Sequence, residues 1–318
     1  MLDELVFAGD SIATDNLGRL ATEESLLYEQ RALEIRDIAE SMVGRVLELG
    51  VGEFGVYEIL TYISSGVNFG IYRPSEMLLS EDVESIRMSL RAVEQRDRAM
   101  FCRFFVETAR ERGISLHEAS FLPESARDSR FVYVRNSFAD EAFDVLSEDF
   151  TDPRVSYAES FRDCVAQVMS EEAGYCLLPL EERAGVRLST VTELIYRNEL
   201  RICAVTPVFG FDGLADMKYA AVSRSYRLPK IGDGDDRYVE LRLGAEAGGA
   251  LSELLCTAEA YGMSVYRVNT LTFNSEGEDM TYFSVVLRDG GGDMCPLLTY
   301  LALFVPDHVV IGVYKNLE

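Results

Sequence analysis

The stretch FRDCVAQVMSEEAGYCLLPLE, residues 161–181, decides how the chain is read. Residues 160–171 have the pattern of a helix, and Tyr175 to Leu180 is a continuous apolar run that reads as a buried strand. The same alternation extends on both sides. Phe131 to Val134 predicts a strand, 137–147 a helix and Val155 to Tyr157 a strand. Residues 189–198 predict a helix and Arg201 to Phe209 another strand. Strands alternating with helices predict βαβ units and a parallel sheet covered on both faces.

Before this block, residues 1–125 read as helical. Segment 22–49 sets Leu26, Leu27, Ala32, Leu33, Ile35, Ile38, Met42, Val43, Val46 and Leu47 at helical spacing. Gly50, Gly52 and Gly55 punctuate it. A shorter apolar run, Val56 to Ile63, ends at Ser64-Ser65-Gly66. Glu81 to Arg112 predicts one further helix stopped by Gly113, with acids at its start and Arg110 and Arg112 at its end, as the helix dipole favours. Residues 225–237 read as a linker. Beyond it the predicted order is strand 238–243, helix 249–260, strands 264–272 and 280–288, helix 293–303 and strand 308–315. That βαββαβ order is the ferredoxin-like arrangement, with Asn274-Ser275-Glu276-Gly277 as the hairpin turn.

Composition narrows the functional classes. A chain of 318 residues, 48% hydrophobic with 17 Phe and 16 Tyr, has enough apolar matter for two or three cores. A net charge of −24 repels phosphate backbones and anionic bilayers, so neither nucleic acid nor membrane is expected as partner. No apolar run approaches the roughly 20 residues of a membrane span, and Met1-Leu2-Asp3-Glu4-Leu5 is acidic where a signal peptide is basic. Cys102, Cys164, Cys176, Cys203, Cys256 and Cys295 form no CxxC and have no His at ligand spacing. They read as small hydrophobes of a cytoplasmic protein, with no metal and no cofactor implied. His117 and His308 suggest structural roles, and Asp233, Asp235 and Asp236 a solvated linker rather than a calcium loop.

The stretch at 161–181 resembles the prephenate dehydratase family, in which a Phe-opened helix leads into an A-D-Y-G-V-L-P-I-E-N-S strand and loop. Val191 to Arg197 with Leu200-Arg201-Ile202 is similar to the family's DLLLEHDLRIVGE segment. Residues 238–318 resemble the ACT domain that follows the dehydratase. Gly249-Ala250-Leu251 stands at its Gly-Ala-Leu motif, and Val310-Ile311-Gly312-Val313-Tyr314 at its VLGSYP ending. The helical segment is similar to the chorismate mutase of bifunctional members, through Leu26 to Arg36 and Met100 to Phe105. The resemblance implies an α+β multidomain chain. Residues 1–125 form an N-terminal all-α, chorismate mutase-like region, and 126–225 a truncated central α/β (βαβ) prephenate dehydratase-like lobe. Residues 238–318 form a C-terminal ferredoxin-like ACT domain, through which a homodimer is expected.

The departures from the family bear on activity. Its Gly-Pro-Gly turn corresponds to Arg135-Asn136-Ser137, so the amide nest for an anion is not evident. In the P-I-E-N-S loop Pro179 and Glu181 remain, while Asn and Ser become Glu182 and Arg183. The catalytic T-R-F motif corresponds to Met217-Lys218-Tyr219, and a thioether cannot donate the hydrogen bond or proton of a threonine hydroxyl. Only Gly210 to Asp216 stand where the family inserts a second lobe. The resemblance leaves Lys218 and Glu181 as candidate dehydratase residues. Arg31 and Arg87, among Arg31, Arg36, Arg45, Arg87 and Arg91, are the candidates for a mutase that grips carboxylates. Because all three lysines lie at 218 or later, a mutase here would rely on arginines alone. The other reading of each arginine is an ion pair on a helix face. Gly248, Gly249, Ala250 and Leu251 at a helix N-terminus, with Asn269, are the candidate ligand-binding residues for a small aromatic or other amino acid. The family's E-S-R-P motif is replaced by Asn269-Thr270-Leu271-Thr272. Three functions stay open: a degenerate amino-acid-binding or regulatory protein, a surviving enzyme, and a structural oligomer.

Overall fold

A computed structural model describes residues 24–46, 56–65, 80–125, 128–182, 186–210, 216–230, 232, 236–244, 248–275, 278–305 and 307–317. The expected punctuation at 50–55, the turn residues 276–277, Asp233, Asp235 and Gly185 lie outside these residues.

The helical segment comprises α1 (24–46), α2 (Val56–Ser65), α3 (Ser80–Ala92), α4 (Arg98–Glu111) and α5 (Glu118–Phe121). On α1, Ile35, Ala39, Met42, Val43 and Val46 are buried, but Leu26, Leu27 and Leu33 are exposed. The single helix expected over 81–112 is divided. Val93 turns inward, a 3-10 turn follows at Gln95–Asp97, and the buried Asp97 carboxylate receives Arg31 of α1 at 2.6 Å. α4 stops as expected at Gly113, whose φ of 83° favours glycine. The Gly113 amide donates to Arg110 O and the Ile114 amide to Ala109 O, which closes the helix end.

The remaining elements run β1 (Arg130–Tyr133), α6 (Ser137–Ser147), β2 (Arg154–Tyr157), α7 (Phe161–Met169), β3 (Tyr175–Glu182), β4 (Val186–Arg187), α8 (Ser189–Arg197), β5 (Arg201–Val208) and β6 (Met217–Ser223). Then come β7 (Arg237–Gly244), α9 (Gly248–Ala260), β8 (Ser264–Ser275), β9 (Glu278–Asp289), α10 (Cys295–Phe304) and β10 (His308–Tyr314). Asn136 and Ser160 cap α6 and α7 by accepting from the amides of Ala139 and Asp163. One mixed sheet has the order β2-β1-β3-β6-β5-β10-β7-β9-β8, with β4 beside β3.

Strand alternation builds two cores around the central strands. Phe131, Tyr133, Tyr175 and Leu177 pack with Ala139, Ala142 and Leu146 of α6. Val132, Cys176 and Leu178 pack on the other face with Val165 and Val168 of α7 and Ile195 of α8. Both faces are therefore covered there, but the sheet is not wholly parallel as expected. β6 runs antiparallel to both β3 and β5, with Val208 opposite Met217. Residues 209–216 are too few for a parallel crossover, which takes a dozen or more, so β5 and β6 form a hairpin. All of β2, at the sheet edge, is exposed.

The last six elements, β7-α9-β8-β9-α10-β10, have the strand order β10-β7-β9-β8. Helix α10, CPLLTYLALF, is apolar all round and is buried nearly all round. It packs against α2, α4 and α5, so that α1 to α5 share one core with β7, β9, β10, α9 and α10. Ion pairs tie the same parts together. Arg98 holds Glu253 at 2.9 Å through both carboxylate oxygens, Arg110 meets Asp293 at 2.5 Å, and the buried Arg237 meets Glu118 and Asp289. Among the described residues no helix is long and apolar enough to cross a membrane, and no group of His, Cys, Asp and Glu is placed to hold a metal ion. Five of the six cysteines are buried and all are free, with Cys256 exposed.

Gly312 joins the two parts of the sheet. It pairs in parallel with Ile202 of β5 while β10 bulges between Val310 and Gly312 against β7. A β-carbon at 312 would collide with the Ile202 carbonyl. Gly312→Ala is expected to cost about 1–3 kcal/mol through overpacking, read from urea unfolding. His308 is buried, and burial pulls its pKa from 6.5 down to about 4. A depressed histidine stabilises above its unfolded pKa, and that contribution is lost as pH falls from 6.5 toward 4. His308→Gln should therefore remove about 3 kcal/mol of the wild-type decline in unfolding free energy across that window.

Candidate functional site

The sheet curls until its far edge meets its centre. Arg267 of β8 donates to Glu181 Oε1 of β3 at 2.7 Å, although β6, β5, β10, β7 and β9 lie between them in strand order. Helix α8 fills the curl, with its Tyr196 ring set edge-on to Phe273 of β8 at 5.9 Å. Where β8 comes opposite β3 and β6 there is a cavity of about 680 Å³. It is lined by Glu181, Glu182, Pro207, Phe209, Asp216, Met217, Lys218, Tyr266, Arg267 and Asn269.

Two strand irregularities lie beside these side chains. The β3–β6 register shifts between Pro179 and Glu181, and the β8–β9 register between Val265 and Arg267. Adjacent residues of a regular strand point to opposite faces, and a bulge relaxes that rule. The irregularity in β8 thus lets Tyr266 and Arg267 border one cavity, while Glu181 and Glu182, at the end of β3 in regular register with Lys218 and Met217, border it as well.

Beneath the cavity lies a buried charge network. Arg187 of β4 reaches Glu181 Oε1 at 3.2 Å on one side and pairs closely with Glu240 of β7 on the other. All three are almost wholly buried. The Tyr314 hydroxyl of β10 donates to Glu240 Oε2 at 3.1 Å. Lys218 Nζ stands 3.7 Å from Glu181 Oε2 and 5.9 Å from the Tyr266 ring centre. Burial acts to raise the pKa of Glu181, but the Arg267 hydrogen bond and the charges of Arg187, Arg267 and Lys218 outweigh it and hold it low. Burial acts to lower the pKa of Arg187, and the charge of Glu240 with that of Glu181 raises it instead. Glu181 is thereby held as a carboxylate among cations in a largely buried setting.

The structure brings three of the sequence candidates together: Glu181, Lys218 and Asn269 all line the cavity. Gly248, Gly249, Ala250 and Leu251 form the first turn of α9, and Leu251 packs against the core. Arg31 is held by Asp97 and Glu34, Arg36 by Glu107 and the Phe104 ring, and Arg45 bonds Ser85. Arg87 donates to Ile63 O at 2.7 Å and lies 3.4 Å from Glu84, which Arg91 approaches at 3.7 Å. Arg87 and Arg91, with Arg98, border a separate cavity of about 200 Å³ that Arg31 does not reach. Arg135 lies on the Tyr157 ring and near Asp140.

Sequence reading missed Arg187, Glu240, Tyr266, Arg267 and Phe209. Arg267 had a signal, since it precedes Asn269 by two residues and so shares its strand face. Arg187 and Glu240 had none, being brought together only by the tertiary fold.

No protein-family model matches the chain, and no curated protein sequence does. The chain is similar in structure to prephenate dehydratases. That of Streptococcus mutans is 12% identical, over 59% of this chain and 99% of that one, with a TM-score of 0.46. That of Arthrobacter aurescens, in complex with L-Phe, is 14% identical over 58% and 90%, with a TM-score of 0.42. A protein described as a novel type of quorum quenching acylase is 18% identical over 59% and 95%, with a TM-score of 0.43.

Arg187 is the centre of this arrangement. Arg187→Ala would strand two buried carboxylates and is expected to cost about 3–5 kcal/mol, measured by urea unfolding.

Proposed function

We propose that the chain is a divergent prephenate dehydratase-like protein of aromatic amino acid metabolism that binds an amino acid in the junction cavity, acts in regulation, and does not dehydrate prephenate. The observation that carries this reading is the charge of the cavity wall. Among the described residues three carboxylates, Glu181, Glu182 and Asp216, face two cations, Lys218 and Arg267. Prephenate is a dianion, and a wall without a positive surplus attracts it poorly. A zwitterion suits such a wall.

Two further features agree. Met217 borders the cavity where the resemblance expects a threonine, and it can give no proton to a departing hydroxyl. Only residues 209–216 join β5 to β6 where the resemblance implies an inserted lobe, and β8 lines the cavity together with Lys218. In residues 237–314 the βαββαβ order with strands β10-β7-β9-β8 supports the ACT-like reading. Strand β8 is a sheet edge with Val265 and Val268 exposed, which supports pairing with a second copy. Buried free thiols suit a reducing, cytoplasmic setting. A surviving mutase has less support, because Arg31 and Arg36 are already paired with acids.

The full chain, incubated with prephenate and separately with chorismate, is expected to form no phenylpyruvate and to consume no chorismate beyond the uncatalysed rates. Titration calorimetry is expected to give heat with at least one of L-phenylalanine, L-tyrosine and L-tryptophan. Lys218→Ala should weaken that binding about tenfold, the size of one charge-assisted contact. Rapid phenylpyruvate formation would overturn the reading. Absence of heat with all three amino acids would leave the structural oligomer in its place.

A further inference from the structure

We propose that Glu181 Oε2 recognises the ammonium group of a zwitterionic α-amino acid in the junction cavity, so that the site distinguishes an amino acid from the same molecule lacking its amine. This rests on the reading of that cavity as an amino acid site, and it assigns the group that sets specificity.

Glu181 is 3% exposed, yet it lines the cavity. Its two oxygens are used unequally. Oε1 accepts from Arg267 at 2.7 Å and lies 3.2 Å from Arg187 Nε. Oε2 has no hydrogen-bond partner among the described residues. Lys218 Nζ, at 3.7 Å, is within ion-pair range but beyond hydrogen-bond reach. A buried charged oxygen without a donor is costly, and proteins leave few of them. Oε2 is itself shielded from solvent, and Lys218 stands on its cavity side, so a ligand donor reaches it as the Lys218 side chain swings toward the ligand carboxylate. The cations around Glu181 hold its pKa low, so the oxygen remains an acceptor at neutral pH.

The rest of the wall selects among donors. Glu182 and Asp216 also border the cavity, and their charge offsets that of the cations around Glu181, so that a cationic donor can enter. Lys218 and Asn269 then remain for the ligand carboxylate, as a point charge and an amide donor. Phe209 and Tyr266, 69% and 45% exposed, offer aromatic faces to an apolar side chain at the mouth. A bare carboxylate would find its cations but would leave Oε2 without a donor.

The test compares ligands that differ only in the amine. Calorimetry of the wild-type chain is run with L-phenylalanine against 3-phenylpropionate, L-tyrosine against 3-(4-hydroxyphenyl)propionate, and L-tryptophan against indole-3-propionate. The amino acid that binds is expected to do so at least about tenfold tighter than its amine-free partner. In Glu181→Gln, checked for folding by its thermal unfolding, that ratio is expected to fall toward one. Should this variant not fold, the wild-type pairs decide alone. An amine-free acid binding as tightly as its amino acid would overturn the ammonium assignment and leave the amino acid site standing as a carboxylate site. Absence of binding by all six compounds would overturn both.

Discussion

The structure depends on one buried cation. Arg187 lies between Glu181 and Glu240, and these two carboxylates belong to strands of different parts of the sheet. Bringing three charges out of water is costly, and their attraction offsets that only when each is well placed. The places are set by neighbours: Tyr314 donates to Glu240, and Arg267 donates to Glu181. An apolar contact tolerates sliding, but a charge triad tolerates little. The network therefore fixes how β8 stands over β3, and hence the shape of the cavity between them.

The cavity is a product of that fixation rather than of any single motif. Glu181 and Lys218 come from the central strands, while Tyr266, Arg267 and Asn269 come from β8. A bulge in β8 lets the consecutive Tyr266 and Arg267 face the same cavity, which a regular strand would have prevented. Both units contribute charge, so a bound molecule would contact both. Its binding energy would then favour the curled arrangement of the sheet over a relaxed one.

Much of this was legible in the sequence, and the rest was hidden for identifiable reasons. Apart from β4 and β6, the elements from β1 to β10 fall close to the positions that apolar alternation and helical spacing predict, because each is set by local patterning. The stop at Gly113 was legible because a left-handed residue favours glycine. Strand β6 was not read from the pattern, although the shortness of 209–216 dictates that a strand there runs antiparallel to β5. The break between α3 and α4 was hidden because its cause, Arg31 reaching Asp97, spans 66 residues. Within the site, Glu181 and Lys218 were found through their neighbours in the chain, while Arg187 stood without any sequence context that pointed to Glu240. Pairings made across a sheet leave no local trace in a single sequence.

Helix α10 has a consequence for how the chain comes into being. Its apolar surface lies beneath α2, α4 and α5, and Arg110 of α4 meets Asp293 across 183 residues. During synthesis the early helices emerge long before the element that covers their greasy side. Until residues 295–304 leave the ribosome, that side has only water or a chaperone to face. Closing so long a loop is slow relative to local helix formation. The nascent chain thus passes through a prolonged, adhesive adolescence that ends only when α10 arrives.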